Sequence, residues 1–215
     1  MENNSFTNKM KIAKVIENHE HFENNIEDLI RYAQEIIADL PYERKIPSKQ
    51  KEMLLESLLL RACALWESFI ERELIASINL DTSQLLRRFG LPEKTNLNIK
   101  LTRAIVFSDS FRDFNDIDRS MSFFKEVIVD KLNPFKNITR IQKGKIIFTY
   151  KIRNYLAHYS EFSRMKLFRA YQREPYKYRI FLEPGKFLLK QKGKHFEELV
   201  NNFKMASIQM RAIFK

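Results

Sequence analysis

The run from Lys151 to Tyr159 (KIRNYLAHY) holds an arginine and a histidine five positions apart, Arg153 and His158. Cleavage of RNA without a metal needs a base for the 2′-hydroxyl proton, an acid for the departing 5′-oxygen and a cation for the phosphorane charge. Histidine suits the first two tasks because its ordinary pKa lies near neutrality. Arginine suits the third because it stays charged and grips phosphate with two parallel donors. The residue types therefore predict phosphodiester chemistry at this segment.

The spacing of Arg153 and His158 favours a site that is shared between two copies of the chain. Five residues correspond to about 140° around a regular helix, so one copy makes a poor closed site. Two copies across a two-fold axis place two arginines and two histidines in one cleft. A simpler interpretation assigns Arg153 to a salt bridge and His158 to a helix C-terminus, where the helix dipole favours a cation.

Several other kinds of chemistry lack their residues. No glycine-rich loop precedes a predicted helix, which argues against nucleotide-binding loops. With one cysteine and four histidines there is no zinc-ligand spacing, and Cys63 is predicted to be a buried apolar residue. No metal or cofactor is expected. A two-metal nuclease site at Asp109, Asp113, Asp116 and Asp118 is the competing hypothesis, although the residues between them favour a solvated helix end with its caps.

The remaining histidines have no predicted role in chemistry. His19 and His21 lie two residues apart on the first predicted helix, so they do not share a face, and both are predicted to be surface residues. His195 precedes the last predicted helix and is predicted to lie in its cap region.

Long helices are predicted for most of the chain, because it contains only 4 Gly and 6 Pro. The spacing of apolar residues predicts helices over about 6–40, 49–79, 81–90, 99–111, 118–132, 139–158, 161–173 and 195–214. The helix over 49–79 is apolar nearly all round, which predicts the central helix of a bundle. The 18 Phe predict a core rich in aromatic rings. The fold class is therefore all-α.

One segment has a different pattern. The run YKYRIFLEPGKFLLK has residues typical of strands on both sides of Pro184 and Gly185, the expected central pair of a type II turn. It predicts a small β-hairpin near residues 176–190. Since there is no internal repeat and no linker, residues 1–215 are predicted to form a single domain.

The charge balance concerns partners rather than fold. The chain has 38 Lys and Arg against 27 Asp and Glu, a net charge of +11, which attracts phosphate backbones. A lysine-rich surface that serves only solubility is the alternative. The sequence has neither an apolar leader segment nor a run long enough to span a bilayer, so a cytoplasmic protein without a membrane partner is predicted. RNA is the predicted partner.

The run Arg153 to His158 (RNYLAH) resembles the R-x4-6-H motif of the HEPN superfamily, which is common in prokaryotic toxins and defence systems. A polar residue after the arginine, here Asn154, and an alanine before the histidine, here Ala157, are frequent in that superfamily. The earlier segment LRACALWESF, with Glu67 facing the bundle, is also typical. The resemblance covers about residues 50–170, the bundle core. The first helix, the hairpin region and the last helix are elaborations of it.

The resemblance implies a HEPN-like helical bundle that forms a homodimer with the motif at its seam. It implies a metal-independent endoribonuclease, either a toxin or a phage-defence effector, that uses 2′-hydroxyl attack. Arg153 and His158 would be catalytic and Asn154 would steady the site. A non-catalytic RNA-binding or protein-interaction module of the same fold is the alternative function.

The resemblance also suggests roles for residues outside the motif. Glu67 would orient His158 or Arg153, or else form an ion pair with Arg61 or Arg72. An antitoxin or another regulatory partner is expected. In some toxins the motif is R-x4-H-x-Y, whose tyrosine an antitoxin modifies. Here Ser160 takes that place, so that form of regulation is not expected.

Basic and aromatic residues flank the motif and fit an RNA surface. Lys145 and Lys151 precede His158 and Arg164 follows it, within a larger basic set that includes Lys143, Lys166, Arg169 and Arg173. Tyr155 and Tyr159 are predicted to stack on unpaired bases. Tyrosines at helical spacing that pack against neighbouring helices are the alternative.

Overall fold

A computed structural model describes residues 2–39, 45–93, 95, 97–108, 114–173 and 175–214. Its α-helices are α1 (Glu2–Ile37), α2 (Ser48–Leu80), α3 (Ser83–Arg88), α4 (Ile99–Ser108), α5 (Ile117–Val127), α6 (Arg140–His158), α7 (Glu161–Tyr171) and α8 (Pro184–Arg211). Short 3₁₀ turns lie at Asp130–Leu132, Pro134–Asn137 and Ala212–Phe214. The described residues contain no strand. The all-α prediction is confirmed.

The chain divides into two compact units. The first unit contains Met1–Glu23, Trp66–Thr139 and Ala206–Lys215, and the second contains Asn24–Leu65 and Arg140–Met205. Helices α1, α2 and α8 contribute residues to both units. A single domain with its core at about residues 50–170 stays a prediction.

Aromatic rings fill the core of the first unit. Phe22 stacks on Phe69 with ring centroids 4.5 Å apart, and Trp66 lies 5.7 Å from Phe69. All three side chains are buried. Burying each such ring contributes roughly 1.5–3 kcal/mol. The predicted aromatic core is present in this unit.

A buried polar network in the first unit joins α1, α2 and α8. His19 Nδ1 lies 2.8 Å from Ser207 Oγ, and His19 Nε2 lies 3.2 Å from a Glu73 carboxylate oxygen. Ser207 Oγ also donates to Glu23 at 3.0 Å, and the Arg211 guanidinium lies 3.1 Å from the same carboxylate. His19, Glu73 and Ser207 are fully buried. The prediction that His19 is a surface residue is therefore wrong, whereas His21 is exposed as predicted.

The second unit is built around α6 and α7, which pack against each other. At their far end Phe148 and Tyr171 meet with ring centroids 5.9 Å apart, and Tyr171 also meets Phe187 of α8 at 4.7 Å. On another side of α6 the Tyr150 hydroxyl donates to the Cys63 carbonyl at 3.4 Å. Cys63 is buried, as predicted. These contacts fix the direction of α6, whose last residue is His158.

The predicted hairpin near residues 176–190 is wrong at its turn. Pro184 and Gly185 begin α8 instead of forming a type II turn. The physical reason is that proline favours the first helical turn, where its missing N–H costs nothing. The Gly185 N–H donates to the Glu56 carboxylate at 2.7 Å, and the Glu183 carbonyl accepts from the Phe187 N–H at 3.0 Å.

Helix α8 is interrupted between Lys190 and Gly193. Gln191 and Lys192 have φ values of 52° and 56°, and Gly193 has a φ of 80°, all in the left-handed region. A Cβ on Gly193 would lie 2.1 Å from Ile37 Cδ1, so glycine is required here for space as well as for backbone conformation.

One further difference from the sequence predictions is local, and it concerns the end of α5. Helix α5 ends at Val127 rather than near Leu132, and the backbone of Ile128 is extended. His195 is buried at the restart of α8 beyond the interruption, where its Nε2 lies 3.0 Å from the Tyr178 hydroxyl. Among the described residues, no helix combines the length and apolar character needed to cross a bilayer.

Candidate functional site

His158 lies at a sharp turn between α6 and α7. Tyr159 adopts a left-handed backbone (φ 45°), and its N–H donates to the Tyr155 carbonyl at 2.8 Å, which ends α6. Ser160 then caps α7 by accepting from the Ser163 N–H at 3.2 Å. With the backbone fixed on both sides, the exposed imidazole of His158 is held at the end of the helix.

Arg153 lies one and a half turns before His158 and is half-buried. Its Nη1 donates to Asn154 Oδ1 at 3.3 Å. Asn154 precedes His158 by four residues, so their side chains occupy one face of α6. The Arg153 guanidinium is thus hydrogen-bonded to a residue that shares the His158 face of the helix.

Neither Arg153 nor His158 is engaged by a carboxylate of the described residues. The alternative in which Arg153 forms a structural salt bridge is thus not seen in the described part of the chain. No hydrogen bond joins Arg153 to His158, both of which are described. One chain consequently offers a guanidinium and an imidazole that are each free to bind an anion.

Lys151 lies on the same face of α6 as Asn154 and His158, at spacings of three and seven residues. Its side chain is half-buried. Burial lowers the pKa of the Lys151 ammonium below its usual range, and the charges of Arg173 and Lys166 lower it further. The structure thus brings this predicted RNA-binding residue to the side of the helix that carries His158.

The two predicted stacking tyrosines differ in exposure. Tyr159 is 65% exposed and follows His158 in the chain. Tyr155 is 6% exposed, its ring packs against Tyr159 and Phe181, and its hydroxyl donates to Glu183 at 3.2 Å. Burial and Glu183 raise the pKa of the Tyr155 phenol. Tyr155 is therefore a packing residue here and leaves no open face for a base.

Arg164 and Lys145 also differ in their relation to the site. The Arg164 N–H donates to the Ser160 carbonyl at 2.9 Å, and its guanidinium lies 4.5 Å from the Phe181 ring centroid. Arg164 is thus adjacent to the α6–α7 turn. Lys145 is 13 residues before His158, which is roughly 20 Å along the helix and on a different face. The structure does not bring Lys145 to His158.

Glu67 belongs to the first unit, whereas Arg153 and His158 belong to the second. One of its carboxylate oxygens is buried without a hydrogen-bond partner among the described residues. The alternative, an ion pair with Arg61 or Arg72, is not formed by these three described residues, and Arg72 Nε donates to the Ser68 carbonyl at 3.2 Å. An orienting role for Glu67 toward Arg153 or His158 stays a prediction.

The aspartates of the competing metal hypothesis fall partly outside the described residues. Asp109 and Asp113 are outside them. Asp116 caps α5 by accepting from the N–H groups of Asp118 and Arg119 at 2.9 and 3.2 Å. The described residues contain no group of three or more potential metal ligands. Asp116 thus has the capping role that the sequence favoured.

The buried network of the first unit has the residue types of a hydrolase triad in Ser207, His19 and Glu73. Ser207 has one hydroxyl proton, which it donates to Glu23, so the His19 Nδ1–H donates to Ser207 Oγ and cannot act as its base. All three side chains are fully buried. Sequence analysis missed this network, although His19 falls in the apolar spacing of α1 that marks the buried face.

Comparison with protein-family models, with curated proteins and with solved structures finds no match. The function is therefore inferred from the residues and geometry of the chain itself.

Proposed function

We propose that this protein is a metal-independent endoribonuclease of the HEPN type, in which Arg153 and His158 act at a cleft between two copies. The observation that carries the proposal is the arrangement at the end of α6. The Arg153 guanidinium is hydrogen-bonded to Asn154, which shares a helix face with the exposed His158, and neither Arg153 nor His158 is engaged by a described carboxylate. Charged groups that serve only the fold, by contrast, are normally paired with an opposite charge.

The chemistry follows from these side chains. One imidazole accepts the proton of the 2′-hydroxyl as its oxygen attacks the adjacent phosphorus. A protonated imidazole, supplied by the second copy, gives its proton to the departing 5′-oxygen. The products are a 2′,3′-cyclic phosphate and a 5′-hydroxyl. The Arg153 guanidinium stabilises the extra negative charge on the phosphorane with two donors.

The test is cleavage of a labelled RNA in the presence of EDTA. General acid–base catalysis contributes about 10²–10⁴-fold, so His158→Ala is expected to lower the rate by at least about 10²-fold. Arg153→Ala is expected to act similarly through loss of charge stabilisation. His21→Ala, which removes an exposed histidine from α1, is the matched control and should retain full activity. Thermal unfolding of each variant checks that folding is intact.

If His158→Ala and Arg153→Ala cut as fast as the wild type, the nuclease assignment is wrong. Loss of wild-type activity on chelation would instead support the metal hypothesis at Asp109, Asp113, Asp116 and Asp118. The proposed roles in a toxin or phage-defence system, with an antitoxin or regulatory partner in the cytoplasm, depend on the resemblance of the motif.

A non-catalytic RNA-binding or protein-interaction module is the second candidate. It is favoured by the absence of a hydrogen bond between Arg153 and His158 within one chain, both of which are described. Protection of a labelled strand without any cleavage, in wild type and His158→Ala alike, would support the binding module.

A further inference from the structure

Helix α6 presents one continuous open face that runs from its first residue to His158. The residues of this face follow one another at spacings of three or four, so they share one side of the helix. None of them is buried, whereas Ile146, Thr149 and Leu156 on the opposite side are. The open face of α6 consists of Arg140, Gly144, Ile147, Lys151, Asn154 and His158.

The glycine on this face has no requirement inside the chain. Gly144 does not have a positive φ, and a Cβ added to it would meet no atom of the described residues within 4 Å. Glycine inside a helix is less stable than alanine by about 1 kcal/mol. Gly144 thus weakens α6 without serving a contact within the described chain. A glycine of this kind is suited to a place where a ligand approaches the backbone closely.

The two cations of the open face have no acidic partner. Arg140 is exposed at the first turn of α6, and Lys151 is half-buried three turns later. Neither forms an ion pair with a described carboxylate. Arg140 also lies at the positive end of the helix dipole, where a cation is unfavourable and an anion is favourable. A negatively charged ligand along this face would therefore stabilise both side chains.

The residue types favour a nucleic-acid strand over a second copy of the helix. Ile147 is the one apolar side chain of the open face, whereas a helix that packs on another helix presents an apolar stripe. Packing this face on the same face of a second copy would enclose Arg140 and Lys151 with their own counterparts, without carboxylates. A phosphate backbone instead brings one acceptor group with every nucleotide.

We propose that a single strand of RNA lies along the open face of α6, with its backbone against Gly144 and its phosphates on Arg140 and Lys151, and so reaches His158. The 18 positions from Arg140 to His158 correspond to about 27 Å. A stacked strand rises about 3.4 Å per nucleotide, so the face holds about eight nucleotides. The end of this path rests on the proposed function, because it takes the phosphate at His158 as the scissile one.

The first experiment adds a side chain at Gly144 and measures binding and stability together. The probe is a fluorescent 12-nucleotide oligouridine with 2′-O-methyl groups, which cannot be cleaved because the nucleophile is blocked. Gly144→Leu should raise the melting temperature by about 2–3 °C, because leucine is the better helix former. It should also weaken binding at least about tenfold, because the side chain occupies the place of the strand. Ser122→Leu, at an exposed position of α5, is the matched control and should bind like the wild type.

The second experiment removes the two cations and titrates the same probe at several salt concentrations. Each phosphate contact on a single strand contributes about 0.7 to the slope of log K against log salt, so Arg140→Gln/Lys151→Gln should lower the slope by about 1.4. Arg87→Gln/Lys100→Gln removes the same charges from exposed positions of the first unit and should leave the slope within about 0.7 of wild type. Circular dichroism melts of both double variants check folding.

The path along α6 is overturned if Gly144→Leu binds the strand as tightly as Ser122→Leu does, or if the two double variants have the same slope. It is also overturned if the wild type binds phosphatidylserine vesicles and not the strand. A wild type that binds along this face and never cuts RNA would end the nuclease proposal and leave the path in place. A wild type that cuts RNA while Gly144→Leu binds and cuts like its control would do the reverse.

Discussion

Charged side chains are paired differently in two regions of the molecule, the buried network around His19 in the first unit and the helix that ends at His158 in the second. In the first unit His19 Nε2 lies 3.2 Å from a Glu73 oxygen, and the Arg211 guanidinium lies 3.1 Å from a Glu23 oxygen. In the second unit Lys151 and Arg153, on the helix that ends at His158, form no ion pair with a described carboxylate. A buried network of this kind fixes helices, because its hydrogen bonds and close charge contacts form only in one arrangement. Unpaired cations at a helix end leave their charge available to a ligand. The contrast separates residues that hold the fold from residues that are candidates for chemistry.

The largest expected change is a loss of folding stability in the first unit. Glu73→Gln removes the carboxylate that lies 3.2 Å from His19 Nε2 in a fully buried site. Removing one partner of a buried pair costs about 3–5 kcal/mol, so the free energy of unfolding should fall by that amount. Urea denaturation measures it. His158→Ala should change the same quantity by less than about 0.5 kcal/mol, as expected for an exposed residue.

Equal losses of stability in Glu73→Gln and His158→Ala would remove the contrast between the units. Glu197→Gln, on an exposed position of α8, is the control for a simple change of net charge.

A smaller effect is expected at Asn154. Asn154→Ala removes the acceptor of the Arg153 hydrogen bond. Hydrogen bonds to charged groups contribute about 1.5–3 kcal/mol, and this one is long and only half-buried, so a loss of about tenfold in cleavage rate is expected. The free energy of unfolding should hardly change. Asn154→Asp keeps an acceptor and should retain most of the activity, whereas a role limited to folding predicts loss of stability in both variants.

The smallest expected change is in the pH dependence of stability, and it concerns His195. This histidine is buried, and no carboxylate of the described residues lies within ion-pair distance of it. Burial lowers the pKa of His195 below its ordinary value of 6.5. The unfolded chain therefore binds the proton more readily, so the stability contributed by neutral His195 is present above pH 6.5 and is lost as the pH falls through the lowered pKa. Thermal unfolding of wild type between pH 7.5 and 5 should show this loss as a falling melting temperature.

His195→Gln tests the assignment, because glutamine does not titrate. The variant should show a shallower fall in melting temperature below pH 6.5 than the wild type does. An unchanged profile would assign the fall to groups other than His195.

The sequence predicted the helices well, because helix bounds depend on neighbouring residues. Helices α2, α6 and α7 begin and end within two residues of their predicted bounds. The wrong prediction at Pro184 also came from neighbouring residues alone, because proline fits both a type II turn and a first helical turn. The choice between them was made by Glu56, which accepts from the Gly185 N–H across 129 positions of the chain.

The candidate site was predicted in part. The exposed end of α6 follows from the local signals at His158 and Ser160. The burial of Tyr155 does not, because its ring packs against Phe181, beyond the reach of a helical pattern.

By itself the sequence determined the helical class, the position of Arg153 and His158 on one helix, and the excess of positive charge. Only the tertiary structure decided which polar groups are enclosed and which are open. His19 and Ser207 are 188 positions apart, yet they share a hydrogen bond, while Arg153 donates only to Asn154, its neighbour in the chain. The physical reason is that helix formation is local, whereas burial and pairing depend on which distant segments meet.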